Sequence, residues 1–481
     1  MVPLYSGIIY FRNAKTVSFM MEEDDHLDLF ALLDRFESLL DSHSEMYHDL
    51  DEYELVTDYY AEMGKPKKAL RILEMALAQH PYAPVLRVRK VQVLSAIQRF
   101  NEAREELENL SQQAPDSYEL YTARAVFYSR NGQHQKAIQY YQKALPLAEF
   151  PEDVHSMLAL EHQLLGQYDE AIHFLRKVLT DNPQDEVGLY NIALCFDMLN
   201  RYEEGIAFFE DFIERNPYSE VAWYHLGMFF RSQREFDKAL WAMDYAILID
   251  EYFSAVYFEK AEILESTYRF QEAIDTYEQT IRFEGPSGYA YYRIAGCYQA
   301  LHNRQKAIAH YTKAVQEDEE LDGAYHELAL LSDEDEQWEE AIYFINRALE
   351  LDPENISYLF ISADIHRRGG RLDEAAIFYD TLEEAGVNEA KLYIDYAELL
   401  FDMCEFQSGM EKLYEGVRQQ PESSEMNLRL AGYLLLLDEQ DRGADFLQKG
   451  LALDGGAKLW FTELFPKLRK HPVVEQILGK Y

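Results

Sequence analysis

The stretch "GQHQKAIQYYQKAL", residues 132–145, returns later in the chain as "HNRQKAIAHYTKAV", residues 302–315. Both stretches contain Gln-Lys-Ala-Ile followed by a second Lys-Ala pair, and their first alanines are Ala137 and Ala307. Steps of 34 residues connect these two alanines without remainder. A fixed period between about 20 and 50 residues is typical of repeat architectures, so the same period is expected elsewhere in the sequence.

The 34-residue period continues along most of the chain without an insertion or a deletion. Twelve positions in phase, here called the anchors, hold nine alanines and three glycines: Ala69, Ala103, Ala137, Ala171, Gly205, Ala239, Ala273, Ala307, Ala341, Ala375, Gly409 and Gly443. The residue twelve positions before each anchor is also small in nearly every copy. Twelve positions after the anchor proline recurs, at Pro81, Pro115, Pro183, Pro217, Pro353 and Pro421. The pattern predicts twelve tandem repeats over residues 50–456.

Each repeat contains two apolar stretches with helical spacing. In the copy "AWYHLGMFFRSQREFDKALWAMDYAILID", Trp223, Leu226 and Phe230 share one face of the first stretch, and Ala239 and Met243 share one face of the second. A polar segment separates the two stretches, and the recurring proline stops the second because it lacks a backbone N–H. Each repeat is therefore predicted to be a helix hairpin. One hairpin buries little by itself, so neighbouring hairpins must stack to complete a core.

At these positions the chain resembles the tetratricopeptide repeat family, whose 34-residue motif places Trp, Leu-Gly, Tyr, Ala, Phe, Ala and Pro at fixed offsets. The resemblance covers residues 50–456 and implies an all-α fold, an α-solenoid superhelix of tandem helix-turn-helix units. Gly409 and Gly443 depart from the usual alanine, and glycine costs helix stability of about 1 kcal/mol per residue relative to alanine.

The two ends of the repeat array are expected to carry capping helices, since a terminal repeat would otherwise expose a core face. Residues 23–49, which contain "HLDLFALLDRFESLL", are predicted to form the N-terminal capping helix. Residues 457–481 are predicted to form the C-terminal capping helices, and residues 1–22 an unstructured N-terminal extension. Because repeats and caps are expected to occupy the whole sequence, we expect no attached catalytic domain.

The composition is strongly acidic, with 87 Asp and Glu against 45 Lys and Arg and a net charge of −42. Such a charge repels nucleic-acid phosphates and anionic lipid surfaces, so neither is expected as a partner. A solvated acidic surface explains the charge, and a preference for basic partners is the alternative. No apolar run approaches the roughly 18 residues of a membrane-spanning helix.

A search for catalytic and metal-binding patterns finds none of the glycine-rich phosphate loops, the His-Glu-x-x-His motif or the nucleophile elbow. We therefore expect no catalytic residue, no cofactor and no metal site, and predict that the chain is not an enzyme. Cys195, Cys297 and Cys404 lie far apart on apolar segments and are predicted to be reduced core residues of a cytoplasmic protein.

The family resemblance implies that ligands lie along the first helix of each repeat, on the concave face. Residues fifteen, eleven and eight positions before the anchor share one face of that helix. In the central repeats the first of these positions is aromatic or His, and polar and apolar residues flank it. The predicted binding groove consists of Tyr190, Leu194, Asp197, Tyr224, Met228, Arg231, Phe258, Glu262, Glu265, Tyr292, Gln299, His326, Phe360 and Asp364. The alternative is that the rings pack between adjacent first helices and are covered.

These features favour a non-enzymatic scaffold or adaptor that holds a protein or peptide partner, with basic and apolar side chains, in the groove. A second hypothesis is a self-associating structural protein, in which the basic C-terminal segment of one copy meets the acidic body of another. A third is an accessory subunit of an enzyme or of a secretion or assembly complex.

Overall fold

The computed structural model describes residues 32–37 and 47–480, and in these ranges the secondary structure is helical with no strand. Residues 32–37 are helical, and the predicted extension at residues 1–22 lies outside the described residues. The chain divides into two compact units, residues 1–256 (unit 1) and 257–481 (unit 2). Each unit is a run of tandem helix hairpins, the arrangement of an α-solenoid.

Twelve helix pairs lie between residues 50 and 453, one for each anchor, and we number the repeats one to twelve in chain order. The helices of repeats one to six are α1 (Leu50–Glu62), α2 (Pro66–Gln79), α3 (Pro84–Ala96), α4 (Phe100–Gln113), α5 (Tyr118–Arg130), α6 (His134–Ala144), α7 (Pro151–Leu164), α8 (Tyr168–Asp181), α9 (Glu186–Met198), α10 (Tyr202–Arg215), α11 (Glu220–Ser232) and α12 (Phe236–Ile249).

The unit boundary falls within the first helix of repeat seven. The helices of repeats seven to twelve are α13 (Ser254–Ser266), α14 (Phe270–Glu284), α15 (Gly288–Ala300), α16 (Arg304–Glu317), α17 (Asp322–Glu334), α18 (Trp338–Leu351), α19 (Ile356–Arg368), α20 (Leu372–Glu384), α21 (Ala390–Asp402), α22 (Phe406–Gln419), α23 (Ser424–Leu436) and α24 (Gln440–Leu453). The described ranges also contain three single turns of 3₁₀ helix, at Leu145–Leu147, Gly455–Ala457 and Pro466–Leu468.

The anchors lie on the second helix of each pair and are all buried, as are the small residues twelve positions earlier on the first helix. Repeat six shows the reason. A Cβ atom added to Gly227 of α11 would lie 3.2 Å from the carbonyl oxygen of Ala239, the anchor on α12. The two helix backbones therefore approach each other where both side chains are small, and larger side chains fill the space around the crossing.

The glycine anchors of the last repeats lie at still closer contacts. A Cβ atom at Gly409 would lie 2.5 Å from Cε1 of Phe401, and the Phe401 ring centroid is 4.3 Å from that of Tyr433. The Phe401 ring occupies the volume that an alanine methyl would need. The glycine expected to weaken the helix thus permits a large aromatic ring on the facing helix.

The turn inside every hairpin contains one residue in the left-handed conformation, five positions before the anchor. These residues have φ between +54° and +75° and are Gly64, Gln98, Gly132, Gly166, Asn200, Arg234, Tyr268, His302, Glu336, Gly370, Cys404 and Asp438. The N–H that follows closes the turn, as Gln133 does on the Tyr128 carbonyl at 2.8 Å, which is the geometry of a Schellman cap. The predicted burial of Cys404 is wrong, because its position in this exposed turn leaves the side chain in solvent.

The segment after repeat twelve forms two short helices, α25 (Lys458–Leu464) and α26 (Pro472–Leu478). Phe461 and Val474 are fully buried there and belong to one apolar cluster with Leu435 and Leu447 of repeat twelve. At the other end, Phe36 is fully buried in a cluster with Tyr53 of α1. These contacts suit the capping roles predicted for residues 23–49 and 457–481, which stay predictions.

The left-handed turn makes a testable prediction about stability. Gly132 has φ +69° and no atom within 4 Å of an added Cβ, so Gly132→Ala should lower the free energy of unfolding through backbone strain alone, by about 1 kcal/mol. Arg234→Gly should raise it by roughly 0.5 kcal/mol, because Arg234 adopts φ +61° where glycine has no such strain. Urea unfolding followed by circular dichroism measures both. Shifts of the same sign for the two variants would contradict this account of the turn.

Candidate functional site

In unit 1, apolar side chains recur at matching positions on three successive first helices. Leu164 ends α7, Leu194 and Met198 lie one turn apart on α9, and Met228 lies on α11. Leu164 is 46% exposed, Leu194 38% and Met198 48%, while Met228 is half-buried, as is Leu160 one turn before Leu164. We call these five residues, Leu160, Leu164, Leu194, Met198 and Met228, the apolar row.

Contacts between the first helices show that the row is continuous. The Gln163 amide of α7 donates to the Asn191 carbonyl of α9 at 3.3 Å and to Sγ of Cys195 at 3.1 Å. From α9 to α11, the Tyr190 ring lies 6.4 Å from that of Tyr224. The three helices are therefore neighbours, and the row crosses all of them.

The aromatic residues of unit 1 lie beside the row and pack downward onto the core. Tyr190 and Tyr224 are half-buried, and their ring centroids lie 4.6 Å and 5.0 Å from that of His225. Burial lowers the pKa of His225 to about 3, so this imidazole is neutral at physiological pH. The two half-buried tyrosines thus pack edge-to-face with a neutral core histidine.

The predicted aromatic residues of unit 2 pack on other rings, and three of them, Phe258, Tyr292 and His326, are half-buried like those of unit 1. Phe258 contacts the rings of Tyr277 and Tyr289, at 5.8 Å and 6.2 Å between centroids, and is half-buried. Tyr292 packs on Tyr311 at 5.7 Å.

Further along unit 2, His326 stacks on Tyr358 at 5.1 Å. Phe360 is only 7% exposed and lies under the Lys391 ammonium at 4.8 Å. The alternative raised by the sequence, that the rings pack between helices, describes Phe360 best.

The predicted carboxylates of unit 2 take part in ion pairs within the protein. Arg293 of α15 binds Glu262 at 2.8 Å and Glu265 at 2.6 Å, both on α13, and its Nη1 also donates to the Tyr289 hydroxyl at 2.8 Å. Burial alone would lower the pKa of Arg293, but the hydrogen bonds that it donates to Glu265 and Tyr289 raise it overall. Glu262 and Glu265 are therefore not an open acidic fringe, because one guanidinium already neutralises much of their charge.

A polar link between neighbouring first helices recurs in both units. An arginine 31 residues after a carboxylate reaches back to it, as Arg89 does to Asp58 at 2.7 Å. Arg293 with Glu262 and Arg429 with Glu398 show the same offset. In repeat eight, Gln299 donates to Glu327 at 3.1 Å and accepts from the Tyr311 hydroxyl at 2.8 Å. These links hold successive first helices in register.

The remaining predicted residues differ in their exposure to solvent. Asp197 on α9 is exposed beside the row, and Arg231 on α11 is half-buried. Asp364 on α19 is half-buried and forms an ion pair with Arg368, which also binds Asp333 at 2.5 Å. The sequence thus placed Leu194 and Met228 in the row but missed Leu160, Leu164 and Met198. Leu160 is the equivalent of Leu194 one repeat earlier, and Leu164 and Met198 lie one turn after these two positions. Extending the predicted positions by one repeat and by one helical turn would have found all three.

The described residues contain no group of three or more His, Cys, Asp and Glu arranged to hold a metal ion. Within the same ranges no helix combines the length and the apolar character needed to cross a bilayer. Cys195 and Cys297 are buried free thiols, and burial raises the pKa of Cys195 to about 11, which makes it a poor nucleophile.

The ion pairs of Arg293 generate a prediction. Arg293→Met should lower the free energy of unfolding by roughly 2 kcal/mol, because two half-buried carboxylates lose their shared cation. Adding Glu265→Gln should recover part of that loss, since one of the uncompensated charges disappears. Arg99→Met, which removes an exposed pair with Glu102, is the control and should leave the urea midpoint nearly unchanged. Equal effects of Arg293→Met alone and in the double variant would show that the charges are not coupled.

Comparison with known families gives four matches along the chain. Models described as tetratricopeptide repeat match residues 60–127, 288–321 and 326–389. A model described as anaphase-promoting complex, cyclosome, subunit 3 matches residues 130–212. None of the curated proteins compared with the chain matches it.

Several solved structures have a similar arrangement of helices. The C-terminal part of a TPR repeat-containing protein from Cytophaga hutchinsonii is 16% identical, with 56% of this chain and 98% of that chain covered and a TM-score of 0.38. Yeast Tom70 is 16% identical, with 90% and 100% covered and a TM-score of 0.33.

The third is YrrB, described as a TPR protein with an unusual peptide-binding site. It is 18% identical, with 37% of this chain and 91% of that chain covered and a TM-score of 0.32. Similarity at this level adds nothing to the fold described above. The family models and the twelve hairpins with buried small anchors agree, and the chain belongs to the tetratricopeptide repeat family.

Proposed function

We propose that the chain is a non-enzymatic scaffold that binds a protein partner through the apolar row on the first helices of unit 1. The observation that carries the proposal is the partial exposure of Leu164, Leu194 and Met198 at matching positions of adjacent helices. Apolar side chains that recur on one face and remain in water are typical of interaction surfaces. Side chains held on rigid helices also lose little freedom when a partner covers them.

The chemistry around the row indicates what the partner offers. Leucine and methionine side chains accept apolar groups of varied shape, and methionine adapts because it is unbranched. Asp197 is exposed at the edge of the row and would favour a basic side chain in the partner. The partner is therefore proposed to be a protein segment with apolar residues and at least one Lys or Arg, as the acidic composition first suggested.

The first-helix face of unit 2 is proposed to play a smaller part in binding. Its carboxylates Glu262 and Glu265 are engaged by Arg293, and a partner would have to displace a half-buried ion pair to reach them. Its aromatic residues pack on other rings of the same unit.

The charge and the free thiols of the protein support proposals about its partners and its cellular compartment. A net charge of −42 disfavours nucleic acid and anionic lipid as partners, and the three cysteines are free, as in the reducing cytoplasm. The match of residues 130–212 to a model named for a subunit of a multi-protein complex also supports a scaffold or accessory-subunit role.

The proposal is tested by introducing negative charges into the apolar row. Leu194→Glu combined with Met198→Glu should weaken partner capture by more than roughly tenfold, because both side chains would have to be desolvated in the complex. The control is Leu248→Glu, which changes a leucine 79% exposed on the second helix α12. Affinity purification with quantitative mass spectrometry compares the captured proteins, and circular dichroism confirms equal helicity.

Loss of the same partners in the Leu248→Glu control, or full capture by the row variant, would exclude the row as the binding surface. Capture of a second copy of this chain as the main partner, lost at high ionic strength, would instead favour charge-driven self-association.

A further inference from the structure

A solvent-open cavity of about 430 Å³ lies between the two helices of repeat four, away from the apolar row. His155 of α7 and five residues of α8 line it: His173, Arg176, Lys177, Thr180 and Asp181. Its size falls in the range of small-molecule sites, about 300–1,000 Å³. A basic lining is unusual in a chain with 87 acidic and 45 basic residues.

The neighbouring repeats explain why the cavity exists. The position of His155, sixteen residues before the anchor, holds Tyr or Trp in seven of the twelve repeats, namely one, three, six, seven, eight, nine and eleven. Repeats two, five, ten and twelve hold Arg87, Leu189, Leu359 and Asn427 there. In three of these repeats a cation six residues after the anchor lies over that ring: Lys143 over Tyr121 at 5.9 Å, Lys313 over Tyr291 at 5.4 Å and Arg347 over Tyr325 at 5.6 Å. In repeat six Tyr245 takes the place of the cation and stacks on Trp223 at 4.6 Å.

Repeat four lacks this ring. His155 is smaller than the tyrosine of repeats three, eight and nine, and Lys177, the equivalent cation, lies over Phe174 at 5.2 Å instead. The space that a phenol ring fills in those three repeats is thus left open in repeat four, and a lysine remains beside it.

Three polar side chains at this opening, those of His155, Arg176 and Lys177, have no hydrogen bond or ion pair with the described part of the chain, whereas the Thr180 hydroxyl donates to the Arg176 carbonyl at 2.6 Å. His155 is only 9% exposed, and its Nδ1 atom is buried without a hydrogen-bond partner. A ligand that formed a hydrogen bond with this atom would remove the free-energy cost of leaving it unsatisfied. Arg176 and Lys177 form no ion pair with the described residues, and each lies over an aromatic ring only, Phe208 and Phe174.

We propose that this cavity binds an oxyanion of the phosphate or phosphomonoester class. Arg176 and Lys177 would supply two positive charges, and the buried imidazole of His155 would donate a hydrogen bond from Nδ1. Fixed cations and a buried donor around one open space are the usual means of holding phosphate. Asp181 also lines the cavity, but it is exposed, so solvent screens its repulsion of an anion.

The imidazole responds to such a ligand. Burial and the nearby Lys177 ammonium lower the pKa of His155, so the ring is neutral at physiological pH without a ligand. A dianion in the cavity would offset the Lys177 charge and draw the imidazole into a hydrogen bond, which changes its ring resonances.

The test titrates the full chain with inorganic phosphate and, separately, with N-acetyl-O-phosphoserine amide, and follows the histidine imidazole resonances by NMR. Saturable shifts of the His155 and His173 resonances are expected, and sodium chloride at equal ionic strength should not reproduce them. Stronger binding of the phosphoserine derivative would indicate a phosphate carried on a peptide, and equal binding a free ion.

Two variants and one matched control decide the assignment. His155→Tyr restores the ring of the neighbouring repeats, so it should keep the fold and abolish the shift of His173. Lys177→Ala should weaken phosphate binding by roughly tenfold through loss of a charged contact. Lys143→Ala removes the equivalent cation of repeat three, where Tyr121 fills the space, and should leave binding unchanged.

The proposal is overturned if neither phosphate compound gives saturable shifts, if chloride gives the same shifts, or if His155→Tyr binds like the parent chain. An equal loss in Lys143→Ala would also overturn it, because binding would then reflect general surface charge. None of these outcomes depends on the apolar row, since the cavity and the row share no residue.

Discussion

The closest approach of the two helices in each hairpin is the constraint on which the rest of the structure depends. At this crossing a small anchor on the second helix faces a small residue on the first, and the backbones nearly touch, as Gly227 and Ala239 show. A larger side chain at either position would separate the helices and open the core around them. Because every hairpin must present the same surface to the next, the crossing recurs at the same interval along the chain.

The two units use the first-helix face differently, although their hairpins are alike. In repeats four to six of unit 1 the positions along this face carry leucine and methionine, and part of that apolar surface stays in water. In unit 2 Glu262 and Glu398 lie at an equivalent position, and arginines of the next first helix bind both. Links of this kind add register between repeats while they consume the charges that a partner could use. A single repeat geometry therefore supports both an open surface and a closed one.

In a repeat protein, each residue can be compared with the residues at the equivalent position of the other repeats, and this comparison identifies unusual residues. His155 is an unremarkable histidine when repeat four is considered alone. Beside Tyr121, Tyr291 and Tyr325, which fill the equivalent space, it marks a missing ring and explains the cavity that Lys177 adjoins. Comparison between repeats separates such local departures from features that the fold requires.

The sequence by itself determined the helix hairpin, its 34-residue period and the burial of the anchors, because helical spacing and small residues at a crossing are local signals. It also indicated Leu194 and Met228 as residues on the binding face of the first helices. Only the tertiary structure decided that Phe360 is buried, that Arg293 binds both Glu262 and Glu265, and that Cys404 lies in an exposed left-handed turn. The first two facts depend on which side chains of adjacent repeats meet across a helix interface, and a periodic pattern in one chain does not specify those pairings. The third depends on the backbone conformation of the turn within the hairpin.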